Sequence, residues 1–219
     1  MKLFELFENC AYKIKYQQAG DSVNYAFVED GSTLYIYFQG SNSITDWVRN
    51  FFFKKVPYKF MGDKFRVHAG FLAAWKEVED IVINKVTKKK KEEFIYKKII
   101  IVGYSHGAAL SALAYECIWY NRIDLRREGI EGYGFEAPRM FGSYRVPIEI
   151  KNRWYGFKVI RCNNDIVTHC PLWIFGYCHV GEILKIQGDT KLVENKQPKF
   201  IKSHYPQVVL DGLKKYEND

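Results

Sequence analysis

The sequence predicts an α/β fold, a mainly parallel β-sheet covered on both faces by helices. Three observations predict it. β-rich runs alternate with helical ones along the chain; residues 99–102, Ile-Ile-Ile-Val, form a short apolar run of the kind buried on both faces; and the residues that follow, GYSHGAALSALA, read as a sharp turn entering a small-residue helix. With 219 residues, 47% of them hydrophobic, and no Pro/Gly/Ser-rich linker, the whole span 1–219 reads as one domain.

Taken in order, residues 1–15, MKLFELFENCAYKIK, read as a short amphipathic helix, because Glu5 and Glu8 fall inside what would have to be an apolar leader. Residues 24–28 and 33–38 are β-rich and joined across Glu29-Asp30-Gly31-Ser32, a hairpin signal, since Asp-Gly accepts the positive φ of a tight turn. After a polar and then aromatic stretch, residues 70–90 place Phe71, Leu72, Trp75, Val78, Val82 and Val86 on one helical face. Past the elbow helix, residues 129–135, 155–161 and 178–186 read as strands and 205–216 as a closing helix. No apolar run is long enough to cross a bilayer, so a soluble or peripheral protein is expected, and the missing leader places it in the cytoplasm.

The net charge of +8 concentrates in residues 88–91 and 97–98, partly offset by Glu92 and Glu93, which reads as a solvated helix end and not as a phosphate-binding stripe. No nucleic-acid module accompanies it, although diffuse attraction to anionic lipid is open. The five cysteines are odd in number and lack C-x-x-C spacing, so they are expected to be reduced.

Gly103-Tyr104-Ser105-His106-Gly107 has the G-x-S-x-G form of a nucleophile elbow, in which serine sits at a strained strand-to-helix corner and glycines on either side avoid collision. A serine hydroxyl needs a base within hydrogen-bond reach, usually a histidine oriented by a buried carboxylate. In this architecture the chain order is serine, acid, histidine. That order sets aside His68; His106 adjoins the nucleophile, His169 follows the best acid too closely and His179 lies in a strand-like run, which leaves His204. For the acid, Asp165 in the turn after 155–161 ranks first and Asp189 second, while Asp124 sits among helix-end charges.

These residues resemble the class 3, fungal-type triacylglycerol lipases of the α/β-hydrolase fold. FQGSNSITDW at 38–47 resembles the segment before the family's lid, VHAGFLAAW at 67–75 a helix start, GFEAPRMFG at 134–142 a glycine-x-proline-arginine loop, VIRCNNDIVTHCP at 159–171 the acid loop, and GYCHVGEI at 176–183 the strand after it. The resemblance implies Ser105 as nucleophile, Asp165 as orienting acid and His204 as general base. It further implies Ser41 and His106 as oxyanion-hole donors, a lid over residues 41–60 carrying Trp47, Phe51, Phe52 and Phe53, and no cofactor or metal. Three positions depart from the family pattern: His106 for leucine, Gln39 for arginine and Glu136 for a small residue. The expected activity is serine-dependent hydrolysis of lipid esters through an acyl-enzyme, with peripheral contact to a lipid surface. A phospholipase A1, a feruloyl or acetyl esterase of polysaccharide side chains, and a silent lipid-binding module are the alternatives, as is a Cys/His metal site from His169, Cys170, Cys178 and His179.

Overall fold

The computed structural model describes residues 1–40, 54–58, 62–194 and 199–218. Its elements in chain order are α1 (Leu3–Glu8), β1 (Gln17–Ala19), β2 (Val23–Asp30), β3 (Thr33–Phe38), β4 (Lys55–Tyr58), β5 (Gly62–His68), α2 (Ala69–Val86), β6 (Lys89–Lys90), β7 (Glu93–Phe94), β8 (Lys98–Tyr104), α3 (His106–Asn121), β9 (Ile130–Phe135), α4 (Ile148–Arg153), β10 (Phe157–Cys162), β11 (Glu182–Ile186) and α5 (Pro206–Tyr216). Seven strands form the main sheet in the order β1-β2-β3-β8-β9-β10-β11. The hairpin expected at Asp30-Gly31 joins β2 and β3, while β3, β8, β9, β10 and β11 run parallel. This is the mainly parallel, helix-covered sheet of the α/β-hydrolase fold.

Alternation along the strands explains the layers, since successive side chains leave a strand on opposite faces. In β8, Ile99 and Ile101 join the core under α2 and α3, whereas Ile100, Val102 and Tyr104 join the core under α1 and α5. β3 divides in the same way, Leu34, Ile36 and Phe38 facing the first core and Tyr35 and Tyr37 the second. With both faces covered, β3 and β8 read as near-continuous apolar runs.

Three elements differ from the sequence reading. The helix expected over 70–90 ends at Val86, where Thr87 Oγ1 bonds the Ile83 carbonyl at 2.7 Å. The lysine run beyond it forms a small hairpin, β6–β7, with Lys91 at φ +56°, and not a helix end. The strand expected over 178–186 begins only at Glu182. Gly181 at φ +101° cannot continue a strand, and a Cβ there would lie 2.4 Å from the Phe157 carbonyl oxygen.

Of the expected lid, Lys55–Tyr58 pair antiparallel with β5, and Tyr58 is buried with its hydroxyl on the Leu113 carbonyl at 3.1 Å. Ser41, Trp47, Phe51, Phe52 and Phe53 lie outside the described residues. No helix among the described residues is long and apolar enough to cross a membrane.

Candidate active site

The carboxyl ends of the parallel strands carry the residues that meet. Ser105 follows β8 at φ +55°, a strained position for a side chain, and opens α3. The flanking glycines make the corner feasible. A Cβ at Gly103 would lie 2.1 Å from the Gly107 carbonyl oxygen, and one at Gly107 2.2 Å from that of Phe38. The Ser105 N–H donates to the Phe135 carbonyl at 2.9 Å, which keys the elbow to β9.

Asp165 lies three residues beyond β10 in a tight turn: its Oδ1 accepts the Val167 N–H at 3.1 Å, and its carbonyl accepts the Thr168 hydroxyl at 2.8 Å. That leaves Oδ2 for His204, whose Nδ1 lies 2.5 Å away, while His204 Nε2 lies 2.8 Å from Ser105 Oγ. Ser105, Asp165 and His204 are all buried. Burial pushes the Asp165 carboxyl up, but the adjacent imidazole and the hydrogen bonds it accepts outweigh that and hold it below the usual aspartate range. The three side chains singled out in the sequence thus meet in space, although they come from a helix start, a turn after β10 and the approach to α5.

Two supports had no signal in the sequence. The Tyr104 hydroxyl donates to the His204 carbonyl, and its ring stacks on the imidazole at 5.3 Å. Asn163, at φ +50°, exchanges two hydrogen bonds with the backbone of Gly188, at 3.1 and 3.0 Å, and reaches Ser203 Oγ at 3.3 Å. The end of β10 is thereby tied to the segment that carries the imidazole.

His106 starts α3, so its peptide N–H is one of the donors a helix start leaves without an intrahelical acceptor. Its ring packs on Phe71 at 5.6 Å, and burial lowers its pKa to about 4. The remaining candidates lie elsewhere. Asp189 accepts the Lys191 N–H at 2.9 Å, and Asp124 pairs with Arg122 at 2.7 Å. His68 caps α2 through the Gly70 N–H at 3.2 Å. His169 turns its ring nitrogens to Arg139 and Arg161, and His179 Nε2 bonds the Thr168 carbonyl at 2.9 Å. Among the described residues, the set of three acid or imidazole groups close enough to share an ion is Glu136, Asp165 and His204, which includes the triad itself.

The acid loop runs on into four consecutive exposed apolar residues, Leu172, Trp173, Ile174 and Phe175, at 44, 56, 63 and 42% exposure. Tyr144 fixes their shape, its hydroxyl on the Ile174 carbonyl at 2.9 Å and its ring edge-on to Trp173 at 5.5 Å.

Comparison with known proteins gives this geometry its context. The chain is 30% identical to a lipase of Rhizomucor miehei over 68% of its own length and 40% of that protein's. It is 29% identical to the secreted mono- and diacylglycerol lipase A of Penicillium cyclopium, over 73% of its own length and 50% of the relative's. The chain thus spans about two fifths to one half of the curated relatives it matches. Among solved structures, the triacylglyceride lipase of Rhizomucor miehei superposes with a TM-score of 0.66 at 25% identity, covering 78% of this chain and 66% of that one. A triacylglycerol lipase whose catalytic centre is described as a serine protease triad superposes at 0.65 and 25% identity, covering 81% and 68%.

The cytoplasmic location expected from the sequence is corrected here. The relatives from Penicillium cyclopium and Fusarium solani are named secreted lipases, which counts against a cytoplasmic location. The expectation leaned on the want of an apolar leader in residues 1–15, and such a want carries no information on destination. The sequence profile described as Lipase (class 3) matches residues 35–175, and with more than half of the chain so matched, this protein belongs to the class 3 lipase family.

Proposed function

We propose that the chain is a serine-dependent carboxylic ester hydrolase acting on lipid esters of the acylglycerol type. The observation that carries the reading is the line of contacts from Asp165 through His204 to Ser105, at 2.5 and 2.8 Å, inside a buried corner. In the reaction, His204 Nε2 takes the proton from Ser105 Oγ as that oxygen attacks the ester carbonyl, and Asp165 stabilises the imidazolium that forms. The His106 N–H, with that of Ser41 as the second donor, holds the oxyanion of the tetrahedral intermediate. Its collapse expels the alcohol, which takes a proton from the imidazolium. Water, deprotonated by the same imidazole, then cleaves the acyl-serine ester and frees the carboxylic acid.

Support for lipid esters comes from the acylglycerol lipases among the relatives and from the exposed run Leu172–Phe175 beyond the acid loop, whose apolar side chains and tryptophan suit contact with an aggregated substrate. The test is a panel of a short-chain p-nitrophenyl ester, mono-, di- and triacylglycerol, phosphatidylcholine and feruloyl or acetyl esters, run on the native protein beside Ser105→Ala. Acylglycerol cleavage falling by roughly 10⁴-fold or more in the variant is expected. Equal rates in the two proteins, or no adduct on Ser105 after treatment with an active-site phosphonate, would refute the reading.

A further inference from the structure

Directly after β9, one strand over from the nucleophile, the chain buries a carboxyl group that the steps above do not use. Glu136 has no exposed surface and is held at φ +51°, an uncommon conformation for a side chain of this size. Its N–H donates to the Ile160 carbonyl at 2.8 Å, and its Oε1 accepts the Cys162 N–H at 2.5 Å, so one carboxyl oxygen is fastened to the end of β10. The other, Oε2, is buried and accepts from no donor among the described residues. A carboxyl oxygen of Glu136, one of Asp165 and a ring nitrogen of His204 lie within 4.8 Å of one another.

Two carboxyls this close inside a protein do not both ionise. Asp165 is the better anion, since it accepts the Val167 N–H and faces the imidazole, whereas Glu136 has one N–H and no cation. The guanidinium of Arg161 is engaged instead with Thr168 Oγ1 at 3.0 Å and His169 Nε2 at 2.6 Å. Tyr104 and Cys162, the other ionisable groups facing this corner, are neutral at pH 7, their pKa values raised by burial.

We propose that Glu136 is a positioning residue for the triad: as the neutral acid it donates its O–H to the Asp165 carboxylate, keeping that carboxylate ionised and turned toward His204. The inference deepens the reading of Ser105, His204 and Asp165 as catalytic and rests on it. Burial first, and then the negative charge of Asp165, push the Glu136 carboxyl well above the usual glutamate range, so the shared proton resides on Glu136. Sequence reading found only that a large acid stood there. The spatial partner was hidden because Asp165 comes from the turn after β10, distant in sequence.

Two variants separate this role from mere filling of space. Glu136→Gln keeps an acceptor for the Cys162 N–H and a donor for Asp165 but cannot ionise, and Glu136→Ala keeps neither. The glutamine variant is expected to retain at least about a third of kcat/KM, with the alanine variant down about tenfold. The acid limb of kcat/KM should move up by about one pH unit in the alanine variant and by less than about 0.3 in the glutamine variant.

Stability reads the proton independently. A glutamate titrates near pH 4.3 in the unfolded chain, roughly, and higher in the folded one, so the native protein is penalised increasingly as pH climbs between those values. Glutamine escapes that penalty, and the Tm of Glu136→Gln relative to wild type should rise from pH 5 to pH 8. A gap that is flat or shrinks would show Glu136 ionised in the fold and overturn the proposal, whether or not the alanine variant folds. Equal rates and coincident acid limbs in the two variants would overturn it as well. Failure of the underlying catalytic reading is recognised separately, by Ser105→Ala turning over as fast as wild type. In that event the imidazole titration of His204, followed by NMR, still tests the contact: a midpoint moved by alanine and not by glutamine supports it, and midpoints unmoved by either refute it.

Discussion

Gly107→Ala adds one methyl group at a tightly packed point of the elbow. The new Cβ would stand 2.2 Å from the Phe38 carbonyl oxygen and 2.6 Å from that of Gln39, both backbone atoms that no rotamer change can move aside. Reaching ordinary contact near 3.4 Å requires the start of α3 and the end of β3 to part by about 1.2 Å. That separation matters because α3 begins with the His106 N–H and the end of β3 leads toward Ser41, the two proposed oxyanion donors. A misplacement of about 1 Å commonly costs roughly a hundredfold in turnover, while overpacking of this kind costs about 1–3 kcal/mol of stability. Measured with a soluble short-chain p-nitrophenyl ester, kcat should fall about a hundredfold. Thermal melting should show a protein still folded at the assay temperature, with Tm lower by a few degrees. A folded variant with kcat within about threefold of wild type would refute the claim that this contact sets the oxyanion geometry.

Other perturbations have equally definite outcomes. Glu116, fully buried on α3, accepts from Trp154 Nε1 at 2.8 Å and Arg153 Nε at 3.1 Å, so Glu116→Ala strands both donors and should cost about 3–5 kcal/mol in denaturant unfolding. Trp173→Ala with Ile174→Ala should leave hydrolysis of a dissolved ester within about twofold while cutting the rate on emulsified acylglycerol about tenfold or more, since two exposed apolar side chains no longer enter the aggregate. Unchanged adsorption to the emulsion would count against that role. Burial lowers the pKa of His106 to about 4 and of His179 to about 3, below the unfolded value near 6.5. Their stabilisation is therefore complete above about pH 6.5 and drains away as acid approaches the folded values, adding about 2.7 kcal/mol per pH unit of slope near pH 5. His179→Asn should remove about half of that slope in pH-dependent unfolding.

The candidate constellation was legible because its pieces obey local rules. A serine between two glycines after an apolar run marks a strand-to-helix corner, and chain order, spacing from the acid and strand character together narrow the histidines to His204. The parallel sheet was legible for a related reason: strands buried on both faces, as β8 is, show themselves as unbroken apolar runs. What escaped was set by tertiary context. Lys88 to Lys91 have good helix propensity, yet helix-ending contacts at Thr87 turn them into a hairpin, where their charges reach water without stacking on consecutive turns. Gly181 ends an otherwise plausible strand because Phe157, from the neighbouring strand β10, occupies the space its side chain would need. Tyr104, Asn163 and Glu136 carry no local signature at all, since each acts on a residue that only the finished sheet places beside it.

The Tyr104 clasp has a bearing on how such chains tolerate change. The hydroxyl that grips the carbonyl of His204 belongs to the residue immediately before the nucleophile, and Asn163 adds a second tether at Ser203. Spacing between base and nucleophile is thus set where the ends of β8 and β10 grip two points of the peptide that links β11 to α5. A change in the length of that link is therefore expected to spare the proton-transfer distance so long as Gly188, Ser203 and the buried Val193 keep their places.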